Sequence, residues 1–130
     1  MAQIAQCENG HKIKETHRET ARRFSRRPDL GRCPTCGAKI QYTVVQKDPA
    51  TTVERVYDVV RIKALLTTSQ AEKEKWDPFI FLLRNQANKR TTMWPYYWKK
   101  DRKQRWANGQ FPPLLKIEDV EAAIKEFKRL

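Results

Sequence analysis

Apolar and polar positions alternate clearly in only one stretch of the chain. Ile40-Gln41-Tyr42-Thr43-Val44 has the two-residue period of a strand with one buried face. Residues 53–66 fit two templates. Val56, Val60, Ile62, Ala64 and Leu66 would share one face of a strand. Val53, Val56, Tyr57, Val60 and Ala64 would instead form a helical stripe, opened by Thr51-x-x-Glu54 as a capping box. The density of β-branched residues favours a strand pairing with residues 40–45. From Ser69 the pattern turns helical. Ser69-x-x-Glu72 reads as a capping box, and Asp77-Pro78 reads as an N-cap followed by proline at the first helical position. The helix so opened would turn Phe79, Leu82, Leu83 and Ala87 inward. Residues 117–130 carry the most regular amphipathic stripe, Ile117, Val120, Ile124, Phe127 and Leu130. Residues 13–27 are polar nearly all round, a short helix or a basic loop ended by a turn at Pro28-Asp29-Leu30-Gly31. Lys47-Asp48-Pro49-Ala50 reads as another turn and Phe111-Pro112-Pro113 as a stiff connector.

These elements predict an α+β protein. An N-terminal zinc ribbon or treble clef with a β-hairpin would occupy residues 1–66, and a basic, aromatic-rich helical half residues 67–130. The longest apolar run, Phe79-Ile80-Phe81-Leu82-Leu83, falls far short of the ~20 residues a membrane span needs. Residues 1–7 lack the apolar core of a secretory signal, so a cytoplasmic or nucleoid-associated protein without a membrane partner is expected.

Of 130 residues only 39% are hydrophobic, so the core is modest and a metal would be a useful stabiliser of the N-terminal third. The cysteines supply one. Cys7-x3-His11 and Cys33-x2-Cys36 offer three thiols and an imidazole, and three cysteines cannot all pair as disulfides. The two-residue spacing of Arg32-Cys33-Pro34-Thr35-Cys36-Gly37 lets a tight turn aim both thiolates at one ion, with Gly37 relaxing the backbone after it. A closed Cys3His set suits one structural Zn2+. His17 is the alternative fourth ligand, but His11, directly after Gly10, closes the shorter loop.

Cys7-Glu8-Asn9-Gly10-His11, a basic insert, and Gly31-Arg32-Cys33-Pro34-Thr35-Cys36 together resemble the small treble-clef or zinc-ribbon modules. These carry a C-x2-G-H first knuckle and a C-P-x-C second one. The resemblance covers residues 7–40. Lys12-Ile13-Lys14 stands where aromatic residues often follow the Gly-His step in that family. The resemblance implies a zinc-held hairpin near nucleic-acid machinery, and it transfers no catalytic residue.

The net charge is +12, from 27 Lys and Arg against 15 Asp and Glu. Its distribution matters more than its size. Residues 1–50 carry ten basic and five acidic side chains, residues 91–113 carry five and one, and residues 114–130 are balanced. A field of this sign attracts polyanions, nucleic acid first among them. Two clusters are candidate contacts. Arg22, Arg23, Arg26 and Arg27 could meet phosphates. Lys99, Lys100, Arg102, Lys103 and Arg105 lie among Trp94, Tyr96, Tyr97, Trp98 and Trp106. There Trp98 or Trp106 could stack on unpaired bases, although some of these rings must serve as core anchors.

Catalysis is not expected. No H-x-E or H-E-x-x-H motif is present, no histidine follows the second knuckle, and no G-x-G phosphate loop occurs. The expected function is therefore a zinc-stabilised nucleic-acid-binding protein, an accessory subunit of a larger nucleoprotein or transcription assembly. The alternative is an adaptor or inhibitor that docks an acidic protein through the aromatic-basic segment.

Overall fold

The computed structural model describes residues 1–109 and 113–130. Among these residues six antiparallel strands form one sheet in chain order: β1 (Ala2–Cys7), β2 (Ile40–Lys47), β3 (Glu54–Ala64), β4 (Trp76–Asn85), β5 (Thr91–Lys100) and β6 (Trp106–Asn108). Among the described residues three helices decorate it: α1 (His17–Arg26), α2 (Thr68–Glu74) and α3 (Ile117–Phe127). The expected helical C-terminal half is thus corrected to β4, β5 and β6, with α2 and α3 as minor elements. The sheet runs unbroken across residue 66, because β3 pairs with β4 from Tyr57↔Asn85 to Ala64↔Phe79.

The physical reason for the correction lies in β4. Phe79, Phe81 and Leu83 join the cluster that α1 covers, while Ile80 and Leu82 pack against Ala123 and Phe127 of α3. A strand buried on both faces has no polar alternation, so it reads as a continuous apolar run. Asp77-Pro78 is not a helix start. Asp77 is fully buried beneath α1, and the Pro78 carbonyl accepts the Leu65 N–H 3.1 Å away, just beyond the end of β3. The missing proline N–H therefore falls where that ladder already stops.

The β2–β3 hairpin forms as expected, from Thr43↔Asp58 to Lys47↔Glu54. The face assigned to β3 does not. A bulge between Val59 and Arg61 inverts the alternation, so Tyr57, Val59, Ile62 and Ala64 face α1 while Val60 turns to the α3 side. In β5 the rings of Trp94, Tyr96 and Trp98 alternate inward. They touch one another at centroid distances of 4.7 and 4.9 Å, and Phe81 and Phe79 at 5.0 and 5.4 Å.

The basic stretch 13–27 resolves into α1, capped by Thr16, whose hydroxyl accepts the Glu19 N–H. α2 starts two residues before the expected box, with a reciprocal Thr67–Gln70 capping box. α3 forms where expected, but rotated. Val120, Ala123 and Phe127 meet the sheet, and Ile117 and Ile124 are exposed. Of the connector Phe111-Pro112-Pro113, Phe111 and Pro112 lie outside the described residues. Among the described residues no helix is long and apolar enough to cross a membrane.

Candidate metal centre and basic surface

The two knuckles meet because β1 and β2 are neighbours. Cys7 ends β1 opposite Ile40, which starts β2, and the second knuckle lies just upstream of Ile40. Each knuckle is a tight turn. The Cys7 carbonyl accepts the Gly10 N–H at 2.9 Å, and the Cys33 carbonyl accepts the Gly37 N–H at 2.8 Å. Gly10 (φ +82°) and Gly37 (φ +74°) take the left-handed conformation that these turns require.

Cys7, His11, Cys33 and Cys36 bring their ligand atoms within 4.8 Å of one another. Cys7 Sγ lies 3.4 Å from His11 Nδ1 and 3.6 Å from Cys36 Sγ, and Cys33 Sγ lies 3.6 Å from His11 Nδ1. A tetrahedral ion with sulfur ligands at about 2.3 Å and nitrogen at about 2.0 Å requires ligand–ligand edges of about 3.5–3.8 Å. The donor set therefore fits a single metal ion. His17 takes no part in this group and begins α1 instead.

The surroundings favour thiolates at two of the three sulfurs. The Ala38 N–H and the Asn9 side chain hold the Cys36 thiol down at about 7. At Cys33 burial pushes upward, as does the Cys36 thiol, but the amides of Cys36 and Thr35 and the Cys7 thiol outweigh them, and the thiol is lowered. Burial dominates at Cys7, whose thiol is raised.

The two knuckles enclose α1 in sequence, and α1 has little apolar surface with which to hold the sheet. Its buried residues are Thr20, Ala21, Arg22 and Phe24. Phe24 meets Tyr42 edge-on at 5.4 Å. An ionic contact supplies the rest. Arg22 is 8% exposed and grips Asp77 in a bidentate pair, Nη2 to Oδ1 and Nε to Oδ2, while Nη1 donates to the Leu66 carbonyl at 2.8 Å. Arg18 Nε donates to the same Asp77 Oδ2 at 2.8 Å, and its guanidinium lies 3.8 Å from the centre of the Trp106 ring.

These contacts sort the candidate nucleic-acid residues. Arg22 is consumed by Asp77 and does not face a ligand. Trp98, 3% exposed, is a core anchor and not a stacking platform. Arg23 is half-exposed and bound to Glu15 at 2.6 Å. Arg26 and Arg27 are exposed at the end of α1. Trp106 is half-buried between α1 and Lys100, whose Nζ lies 5.3 Å from its ring centre. Lys100 is also paired with Glu72 at 2.7 Å.

The turn between β5 and β6 is built on Asp101. Its carboxylate accepts the N–H groups of Lys103 and Arg105 at 2.8 and 3.0 Å. These bonds, the Arg105 N–H foremost, hold its carboxyl below the usual carboxylate range. The turn leaves Arg102, Lys103 and Arg105 pointing to solvent beside exposed Lys99. Sequence reasoning missed two additions. Trp76 pairs with Lys99, and the Lys75 carbonyl accepts the Lys100 N–H at 3.1 Å, so Lys73 and Lys75 border the same patch. They lie 24 or more residues before Lys99, and only the β4–β5 pairing joins them.

No protein-family model, curated protein or solved structure matches the chain.

Proposed function

We propose that this is a zinc-stabilised, non-enzymatic nucleic-acid-binding protein that serves as an accessory subunit of a larger nucleoprotein assembly. Zinc is the ion of choice for a closed Cys3His set with no open coordination position, which favours a structural role over a catalytic one. Cys7, His11, Cys33 and Cys36 hold it. Its contribution is to close the loop that contains α1 and so to fix α1 against the sheet.

The observation that carries the reading is a patch of cations without internal partners. Lys73, Lys75, Lys99, Arg102 and Lys103 form no ion pair among the described residues, and Arg105 has only an exposed pairing with Asp101 at 3.3 Å. Unpaired cations concentrated on one turn favour a polyanion, bound through phosphates with little sequence preference. Arg26 and Arg27 extend the positive surface at the far end of α1. Trp94, Trp98 and Tyr96 are occupied with core packing, so an adaptor role would draw on other exposed apolar side chains, such as Leu114 and Ile117, in place of the aromatic hot spot.

Reversing the turn tests the assignment. The triple substitution K99E/R102E/K103E alters exposed side chains only, so the thermal midpoint should stay within about 3 °C of the parent. Affinity for a labelled oligonucleotide should fall at least about 100-fold, and the salt slope should drop by roughly one per cation removed. Retained binding with an unchanged slope would remove the turn from the interface. R26E/R27E, measured in parallel, reports whether the end of α1 belongs to the same track.

A further inference from the structure

The tip of the β4–β5 hairpin, at the opposite end of β5 from the basic turn, carries cations with no internal use. Lys89 and Arg90 are exposed and, with Arg84 at the end of β4, form no ion pair among the described residues. On the paired strand Asp58 lies opposite Arg84 in the register, and it also accepts the Gln86 side-chain N–H at 2.8 Å. Setting Asp58 against Arg84 leaves Lys89 and Arg90 uncompensated. The β2–β3 tip at the same end of the sheet adds no charge, since Asp48 and Glu54 there match Lys47 and Arg55. The β4–β5 turn is also fixed in shape. The Asn85 carbonyl accepts the Lys89 N–H at 2.9 Å, and Asn88 Oδ1 accepts the Arg90 N–H at 2.9 Å.

We propose that this tip is a second nucleic-acid contact. The partner it fits is duplex DNA, lying along β5 and meeting Lys89 and Arg90 at one end and the basic turn at the other. The inference rests on the nucleic-acid reading and deepens it, because it names the form of the nucleic acid and the length it must have.

The length of β5 carries the argument. Its ten residues, Thr91–Lys100, rise about 30 Å at about 3.3 Å each, and the two cation groups lie just beyond its ends. Duplex DNA returns the same backbone to one face after about 34–36 Å, and it stays straight over that distance. Two cation groups held this far apart by a strand therefore match phosphates one helical turn apart. A flexible single strand gains nothing from such a fixed spacing. No acidic residue interrupts the path, because residues 78–100 contain five Lys and Arg and no Asp or Glu.

The margin of β5 is open to such a partner and poorly suited to an added protein strand. β6 pairs only with Trp98, Lys99 and Lys100, so among the described residues nothing pairs with the outer side of residues 91–96. The Tyr97 carbonyl points to that side, where it accepts the Gly109 N–H at 2.9 Å. By the alternation of a strand Pro95 faces the same way, and it has no N–H to offer. Proline at an exposed edge blocks strand addition while leaving the cations at both ends free.

The experiment measures the affinity of the zinc-loaded full chain for hairpin-closed DNA duplexes of about 6 and about 16 base pairs, the first too short to span β5 at about 3.4 Å per pair. Single strands of DNA and RNA of matching length are measured in parallel. The long duplex should bind at least about tenfold more tightly than the short one after correction for the number of sites. K89E/R90E should weaken the long duplex about tenfold and lower its salt slope by roughly two, with the short duplex and the thermal midpoint unchanged. If K89E/R90E leaves the long duplex unaffected, or weakens both lengths equally, the tip is not a second contact one turn away and the proposal fails. If only single strands or RNA bind, the duplex assignment is wrong and the nucleic-acid reading stands. If no oligonucleotide binds, both fail.

Discussion

Replacing Cys33 with serine is expected to release the metal and unfold the region between the knuckles. Cys33 is buried, and its sulfur lies 3.6 Å from His11 Nδ1 in the four-ligand group. Structural zinc contributes apparent binding energies of about 10–16 kcal/mol in small modules, as much as a typical domain's whole stability. Residues 8–39 depend on it most, because α1 brings only Ala21 and Phe24 as buried apolar side chains. The centre of the sheet, built from Phe79, Phe81, Leu83 and Val44, supplies no ligand to the metal group and should persist. Hydrogen exchange should therefore rise sharply across 8–39 and much less across β3 to β5, with the thermal midpoint lowered by more than about 15 °C. Chelation of the parent protein should reproduce the pattern. A C33S protein that keeps one ion per chain and melts like the parent would show that the cluster is not a structural metal site.

Asp77→Ala is the second large effect, expected at about 3–5 kcal/mol, since it strands two buried guanidinium groups. Asp77 is wholly inaccessible, and the Arg18 and Arg22 side chains are 12% and 10% exposed. Neither arginine has another carboxylate within hydrogen-bonding distance; Glu72 stands 4.0 Å from Arg18. A fall in midpoint of about 10–20 °C should accompany the loss. The double substitution Asp77→Leu with Arg22→Met removes charge and partner together and should recover part of the deficit, a non-additivity that chemical denaturation can measure. An Asp77→Ala protein within about 1 kcal/mol of the parent would mean that α1 does not need this contact. The variant should also weaken nucleic-acid binding, because α1 carries Arg26 and leads into Arg27.

Both effects fall on the same helix, and that explains what was legible in the chain. The four metal ligands could be read directly, because knuckle geometry is local: two or three residues between ligands, and a glycine where the turn needs positive φ. The β2–β3 hairpin was legible for the same reason. β4 was not, because burial on both faces erases the two-residue period and leaves a run that mimics a buried helix, with Asp77-Pro78 imitating its start. The bulge at Val59/Arg61 scrambled the inward face of β3. In β5 the inward Trp94, Tyr96 and Trp98 alternate with Met93, Pro95 and Tyr97, none of them charged, so no apolar–polar period marks the strand. Arg22 looked like a free phosphate ligand because its partner lies 55 residues away, and no local pattern announces such a pair. Lys73 and Lys75 were hidden likewise, joined to the basic turn only by strand pairing.

The nucleic-acid reading stands or falls on a salt titration. Zinc-loaded protein, with one ion per chain confirmed by mass, would be titrated against labelled single-stranded and duplex DNA and RNA between about 50 and 200 mM salt. With five or six phosphate contacts from the basic turn and its neighbours, micromolar or tighter binding is expected at the low end. Affinity should then fall by about 10²–10³ across the range. No binding to any oligonucleotide at low salt, or an affinity indifferent to salt, would contradict it and turn attention to an acidic protein partner.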